Sequence, residues 1–338
     1  MELHDRWGGA EALERLQAVA AGALPAYGIS PDAAVDILNI SENATYLVEE
    51  GAAGRRYVIR VHRLGYHGYD AVLSELRWMT SLRESGAIHA PAVIPTLDGR
   101  WIVSTPEPGT DEPRLSVLFE YVPGGQPDDD GLVESFEPLG EMTARMHRHT
   151  RAWPLPPGFT RHHWDYEGAF GPAPRWGRWQ DAPGVGPSEH ALLRRVDDTL
   201  RHRLAAFGRG RDRYGLVHTD LRAANLIVDG DRTTVIDFDD SGFSWYLYDF
   251  GGAVAFIEND PRMDEMVGAW VRGYRRVLEL PDEDVAEIPS FIVYRRMTLL
   301  AWLGSHPHTD TAAEFGTGFA EQTCVLAERY LRTHEVRD

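Results

Sequence analysis

The chain contains no lysine: all 34 of its basic residues are arginine, set against 52 acidic residues and a formal net charge of −18. That balance excludes the broad basic face that nucleic-acid phosphates require, and it disfavours an anionic membrane surface. Cysteine is nearly absent. Cys324 has no second thiol with which to close an internal disulfide, which fits a reducing, cytoplasmic setting. Long apolar runs are missing too, since no stretch approaches the ~18–20 residues needed to cross a bilayer. The opening MELHDRWGGAEALERL has no basic start followed by an apolar run, so no signal peptide is expected. Nor is there a Gly-x-x-x-x-Gly-Lys phosphate loop.

What remains is ordinary globular material, 338 residues with 43% hydrophobic and 25% charged content, enough for a sizeable core and for two lobes. Apolar positions at helical spacing from Gly9 to Ala26 predict a first helix. Three short β-rich runs follow, Val35–Ile40, Thr45–Glu49 and Arg56–His62, separated by turn residues, and predict three antiparallel strands. A helix is expected over Asp70–Arg83, a hairpin from Ala92–Leu97 to Trp101–Ser104, and a strand over Leu115–Val122 running out into Pro123-Gly124-Gly125. Beyond that joint, helices are expected over Leu132–Arg151, Ser188–Phe207, Arg262–Leu280, Asp284–Leu303 and Thr311–Arg332. His147 and His149 lie on different faces of the first of these and read as solvated. Residues 153–187 alternate prolines with Trp153, Trp164, Trp176 and Trp179. This stretch reads as an irregular insertion shaping a pocket for a polar guest, with His162, Asp165, Arg175 and Trp176, and the later His306, as candidate acceptor-binding residues.

The stretch from Leu216 to Gly242, LVHTDLRAANLIVDGDRTTVIDFDDSG, carries the chemistry. Leu226–Val228 and Thr233–Ile236 flank an Asp229-Gly230 turn and predict a hairpin that brings Asp237 back beside Asn225. An amide oxygen and a carboxylate at the mouth of a hairpin suit Mg²⁺, a hard cation that keeps water or phosphate oxygens in its shell. Asp220 is placed to accept the proton of an attacking hydroxyl. His218-x-Asp220-x-x-x-x-Asn225 followed by Asp237 is similar to the catalytic loop and metal-binding acid of the protein-kinase-like fold. The strand Tyr57-Val58-Ile59-Arg60-Val61 puts one basic residue among apolar ones; unless Arg60 is a strand-edge side chain reaching solvent and Glu75 a surface acid, it faces Glu75 of the next helix. That is the arrangement in which kinases grip ATP phosphates, with arginine where lysine is usual.

With these residues in view, the chain resembles the aminoglycoside phosphotransferase and choline kinase group, and within it the type II homoserine kinase-like and stress-response-kinase-like members. HTDLRAANLIV, VIDFDDSG, LYDF, LNISENATYLV, RYVIRVHR, SELRW and LFEYVPGG carry the likeness, over roughly Leu38 to Ile257. It implies an α+β, bilobal protein-kinase-like fold, with an antiparallel-sheet nucleotide-binding lobe over 1–122 and a mainly helical lobe over 123–338. The implied activity is ATP-dependent transfer of a phosphoryl group to a hydroxyl of an amino-alcohol, sugar or antibiotic. A stress-response-type protein Ser/Thr kinase and a catalytically weak nucleotide-binding regulator are the alternatives. Carried over to this chain, the resemblance implies Asp220 as base, His218 as holder of the catalytic loop and Arg222 as a γ-phosphate contact. Asn225 and Asp237 would ligate Mg²⁺, Asp239 a second ion, and Asp249 would be a structural acid. Arg60 and Glu75 would grip ATP, Ser41 and Asn43 would cover its phosphates, and the backbone of Glu120, Tyr121 and Val122 would meet adenine.

Overall fold

The computed structural model describes residues 9–40, 43–51, 54–110, 112–127, 131–307 and 309–336. The chain divides into two compact units. One comprises Met1–Gly125, Leu155–Thr160 and Ile227–Ile236, and the other Gln126–Pro154, Arg161–Leu226 and Asp237–Asp338.

The first unit begins with helix α1 (Ala10–Ala23), followed by strands β1 (Ala34–Ile40), β2 (Ala44–Glu50) and β3 (Arg55–Val61), helix α2 (Tyr69–Glu84), and strands β4 (Ile102–Pro106) and β5 (Pro113–Glu120). The five strands form one antiparallel sheet in the order β1-β2-β3-β5-β4. Period-two patterning puts Ala44, Tyr46 and Val48 of β2 on one buried face, where they join Val19, Ala20 and Ala23 of α1 in a single core. A fully buried Val such as Val19 or Val48 contributes about 1.5–3 kcal/mol there.

The hairpin expected between 92–97 and 101–104 does not form. Its Asp98-Gly99 turn is present, closed by Thr96 N–H to the Arg100 carbonyl at 2.7 Å, but β4 pairs with β5 instead. Residues 92–94 lie along the remainder of the same β5 edge, through a Val93–Phe119 bridge and the Ile94 N–H to the Leu118 carbonyl. Pro91 and Pro95 bracket this segment and remove the donors a longer strand would need.

The second unit opens with α3 (Leu132–Ala152), passes through the short α4 (Tyr166–Phe170) inside the proline- and tryptophan-rich stretch, and continues with α5 (Pro187–Phe207) and β6 (Tyr214–Val217). The predicted hairpin follows in the chain as β7 (Leu226–Asp229) and β8 (Arg232–Val235), where residues 227–236 belong to the first unit; the second unit resumes with β9 (Gly242–Trp245), which pairs antiparallel with β6. Helices α6 (Tyr248–Ala253), α7 (Met263–Arg275), α8 (Asp282–Val285), α9 (Ile288–Ser305), α10 (Asp310–Phe315) and α11 (Gly318–His334) complete it. Two of the expected C-terminal helices are divided. Pro289 sits in the first turn of α9 and leaves 282–285 as a separate turn, and Gly316, at φ 47°, separates α10 from α11.

Helices α3 and α7 approach so closely that a β-carbon on Gly140 would lie 2.1 Å from the Trp270 carbonyl oxygen, and one on Gly273 1.8 Å from that of Glu137. The absent side chains let the two backbones touch. This contact brings His147 of α3 and Tyr274 of α7 together. The His147 expectation is corrected here: its side chain is fully buried, with Nδ1 3.0 Å from the Tyr274 hydroxyl and Nε2 2.9 Å from Asp249 Oδ2. A neutral imidazole protonated at Nε2 satisfies both partners. His149 is half-buried. Burial pushes the His147 pKa below the ordinary imidazole value despite the upward pull of the Asp249 carboxylate.

Gly140→Ala and Gly273→Ala should each lower unfolding free energy by about 1–3 kcal/mol in urea titrations, the usual cost of overpacking. A second expectation concerns pH. Unfolded His147 titrates near 6.5 and the folded residue lower, so below about 6.5 the unfolded state binds the extra proton. The favourable contribution is complete above that pH and falls, by at most about 1.4 kcal/mol per pH unit, as pH drops towards the folded value. His147→Gln should therefore lose less stability than wild type between pH 7.5 and 5.5; parallel losses would contradict this assignment.

Candidate active site

Strand β6 ends at Val217 and delivers His218, Thr219 and Asp220 into a loop whose backbone is fixed from behind. Asp249, buried on α6, accepts the Thr219 N–H at Oδ1 (2.6 Å) and the His218 N–H at Oδ2 (3.2 Å). This tie holds Thr219 at φ 73°, a left-handed conformation that costs a β-branched residue roughly 1–3 kcal/mol. Helix α6 comes close enough that a β-carbon on Gly252 would stand 2.2 Å from the Thr219 carbonyl oxygen. The Thr219 hydroxyl reaches forward to the Asp240 carbonyl at 3.2 Å, joining this loop to the one that follows β8.

Asp220 retains 19% side-chain exposure and is gripped on both oxygens. Oδ1 accepts from Arg295 Nη2 at 3.0 Å, while Oδ2 accepts from Arg222 Nε at 3.2 Å and from Asn225 Nδ2 at 2.8 Å. Burial raises the pKa of this carboxyl, but the combined fields of Arg222, Arg295 and His218 outweigh it and hold the pKa below the usual carboxylate range. The group is therefore ionised at neutral pH. His218 is buried, with its ring 4.7 Å from that of Phe238.

The donors available to a cation are hard oxygens. Asn225 spends its amide nitrogen on both the carbonyl and the carboxylate of Asp220, at 2.8 Å each, which leaves its amide oxygen for another partner. Asp237 is exposed directly after β8, at φ 61°, and Asp239 is buried two residues on. Among the described residues no three His, Cys, Asp or Glu side chains converge into a metal cage. A single amide oxygen with one or two carboxylates fits a divalent cation that completes its shell with water and phosphate oxygens. The loop bearing these acids is anchored by Arg161, which donates to the carbonyls of Ser241 (2.6 Å), Phe238 (3.3 Å) and Asp239, and by Trp164 Nε1, which donates to the Asp240 carbonyl at 2.7 Å.

In the first unit, β3 and α2 bring Arg60 Nη2 within 2.6 Å of Glu75 Oε1, with both side chains buried and the guanidinium 5.3 Å from the Phe119 ring centre. Asn43 is buried, and its Oδ1 accepts the Arg63 N–H at 3.1 Å, tying the β1–β2 turn to the end of β3. Ser41 lies outside the described residues. Glu120 spends its N–H on the Ala92 carbonyl (2.9 Å), so Tyr121 and Val122 are left to offer backbone groups; the Tyr121 ring lies under Arg56 at 4.0 Å.

The acceptor candidates fall into two groups. Trp176 is buried with its ring 5.2 Å from the Arg295 guanidinium, which in turn holds Asp220. Trp164 lies 4.5 Å from Trp176 and within 6.0 Å of Arg175, whose Nη1 is 2.7 Å from His162 Nε2, and His306 stacks on Trp302. Asp165 is occupied structurally, capping α4 through the Gly168 N–H (2.9 Å) and pairing with Arg209 at 2.8 Å. Two residues were missed by sequence reasoning, Arg161 and Arg295. Arg295 had a visible signal: with Arg296 it forms a charged pair inside a helix that is apolar on every side, and buried charges demand partners.

Comparison with known proteins agrees with this geometry. Residues 37–280 match the phosphotransferase enzyme family. An amicoumacin kinase of Bacillus subtilis (strain 168) is 27% identical over 296 residues, 84% of each chain. The solved structure of a microcompartment-associated aminopropanol kinase is 48% identical, with a TM-score of 0.87 over 95% of this chain and 99% of that one. An amicoumacin kinase, hAmiN, in complex with AMP-PNP, Ca²⁺ and Ami shares the fold at 22% identity, with a TM-score of 0.76 over 94% of this chain and 96% of that one. The α+β architecture, an antiparallel sheet in one unit and helices in the other, is that of the protein-kinase-like phosphotransferases. The protein is a small-molecule kinase with an alcohol group as acceptor, and ATP with a divalent cation as its cofactors. The chain belongs to the phosphotransferase enzyme family.

Proposed function

We propose that the enzyme transfers the γ-phosphoryl group of Mg²⁺-ATP to the hydroxyl of a small, cationic amino alcohol. The observation that carries the acceptor class is the 48% identity to an aminopropanol kinase along almost the whole chain. A net charge of −18 is compatible with attraction of a cation. The 27% identity to an amicoumacin kinase favours a second reading, a larger hydroxylated antibiotic as acceptor.

In this reading Asp220, ionised and partly exposed, accepts the proton of the acceptor hydroxyl as its oxygen attacks the γ-phosphorus in line with the departing ADP. Arg222 keeps Nε on Asp220, and its two terminal nitrogens are free to steady the γ-phosphate. Asn225 and Asp237 would hold the cation, and Asp239 would serve a second ion; when bound, such a cation would supply neutralisation of phosphate charge. Arg60, oriented by Glu75, grips the α- and β-phosphates, Asn43 covers them, and backbone groups at 120–122 meet adenine. His218 packs the catalytic loop. His162, Arg175, Trp176 and His306 line the approach to the acceptor, while Asp165 supports them as a cap. Positioning and charge neutralisation do most of the work in such a reaction. The described helices include none long and apolar enough to cross a membrane, and with the reduced Cys324 the setting we propose is the cytoplasm.

Two measurements test this. Asp220→Asn should lower kcat on the order of 10²–10⁴-fold while leaving nucleotide binding in place; wild-type transfer by that variant would remove Asp220 as the base. In a panel of 1-amino-2-propanol, 3-amino-1-propanol, ethanolamine, amicoumacin and the uncharged 1,2-propanediol, an aminopropanol should give the highest kcat/KM. It should exceed the diol by on the order of tenfold or more, the value of one favourable charge contact. Equal turnover of the diol would rule out a cationic acceptor, and preference for amicoumacin would favour the second reading.

A further inference from the structure

A carboxylate offers about four lone-pair sites, two on each oxygen. On Asp220 Oδ2 both are taken, by Arg222 Nε at 3.2 Å and Asn225 Nδ2 at 2.8 Å. On Oδ1 one is taken, by Arg295 Nη2 at 3.0 Å. The open lone pair is therefore on Oδ1. A hydroxyl that gives its proton to Asp220 has to arrive there, side by side with the Arg295 guanidinium.

Arg295 is built to stay where it is. Its side chain is 2% exposed, Nη1 donates to the Tyr248 hydroxyl at 3.2 Å, and its guanidinium lies 5.2 Å from the Trp176 ring and 5.6 Å from that of Tyr248. Trp176 is fixed in turn, because its carbonyl accepts the Ser305 hydroxyl at 2.6 Å, one helical span along α9 from Arg295 itself. The proline- and tryptophan-rich stretch thus reaches the catalytic carboxylate through one buried guanidinium that lies near the Trp176 ring and donates to the Tyr248 hydroxyl. Its planar fork meets Oδ1 through Nη2 and the Tyr248 hydroxyl through Nη1, which a single ammonium cannot do in the same geometry.

We infer that Arg295 is a positioning residue for phosphoryl transfer: it orients Asp220 so that the open lone pair of Oδ1 faces the acceptor hydroxyl, and its guanidinium forms one side of the place that hydroxyl occupies. The inference rests on the assignment of Asp220 as base. It carries a consequence for the acceptor. An ammonium group close to the reacting hydroxyl has to point away from Arg295, so the guanidinium selects which way round an amino alcohol lies.

The test compares wild type, Arg295→Lys, Arg295→Met, Tyr248→Phe and Asp220→Asn, using Mg²⁺-ATP with the best acceptor of the panel above, expected to be 1-amino-2-propanol. ADP release and phosphorylated acceptor are measured separately. Arg295→Met should lower kcat for acceptor phosphorylation on the order of 10–10²-fold, as expected for a misplaced reacting group. It should also raise the acceptor KM, leave the ATP KM within about two-fold, and release more ADP than phosphorylated acceptor as water takes the vacated position. Arg295→Lys should recover part of the loss. Tyr248→Phe, which removes only the hydroxyl that Arg295 holds, should shift acceptor KM and coupling in the same direction by a smaller factor. Unchanged acceptor KM and one-to-one coupling in Arg295→Met would overturn the inference. Should that variant fail to fold, the same result in both Arg295→Lys and Tyr248→Phe would overturn it. A uniform loss of kcat in proportion to lost folded protein would also do so, since that is what a purely structural role gives. Wild-type transfer by Asp220→Asn would instead overturn the base assignment, a separate failure.

Discussion

The loop that carries Asp220 depends on one buried carboxylate. Asp249 accepts two consecutive backbone N–H groups, those of His218 and Thr219, and so fixes the peptide that carries Asp220. Hydrogen bonds to a buried charge are worth roughly twice neutral ones, and two of them offset the 1–3 kcal/mol of strain at Thr219. Behind Asp249 stands a neutral His147, and behind that Tyr274, each placed by the glycine contact between α3 and α7. A chain of close-packed small residues and buried polar partners thus runs from a helix–helix seam to the catalytic loop. Thr219 is the place where local preference is overruled, and the overruling is supplied by partners far away in sequence.

The complete absence of lysine becomes intelligible at the buried cations. Arg60, Arg161, Arg295 and Arg296 are all less than a tenth exposed, and each faces a carboxylate or a set of carbonyls with a planar, multi-donor head. Arg161 alone serves three carbonyls of the loop after β8. An ammonium could satisfy no comparable set from one atom without moving, and a weakly hydrated guanidinium costs less to bury. Acids are buried too, among them Glu75, Asp249 and Glu258, and the buried arginines are among their partners, as Arg60 is to Glu75 and Arg296 to Glu258.

Much of this was legible in the sequence, and the reasons are local. The hairpin β7–β8 declares itself through β-branched runs around Asp229-Gly230, the strands β1 to β3 through short β-rich runs separated by turn residues, and Asp220 and Asn225 through a spacing similar to that of the protein-kinase-like catalytic loop. What could not be read depended on distant partners. Residues 92–97 look like half a hairpin until the edge of β5 competes for them and the flanking prolines limit their donors. His147 looks like a surface histidine on a helix with polar neighbours until α7 covers it. Arg295 lies 75 positions from Asp220, and no pattern in its own helix names its partner, although two arginines in an all-round apolar helix announce that partners must exist.

The same reasoning bears on the cation at position 60. In the proposed reading Arg60 has to serve Glu75 and the nucleotide phosphates together. A lysine in that role divides one nitrogen between the two; Arg60 contacts Glu75 through Nη2 at 2.6 Å and carries four further donors on the same plane. The Phe119 ring centre lies 5.3 Å from the guanidinium. In that reading arginine lets one nitrogen stay on the helix α2 acid while other nitrogens of the same fork address phosphate. The Arg295–Asp220 contact has the same form, a guanidinium nitrogen 3.0 Å from one carboxylate oxygen with an aromatic ring nearby.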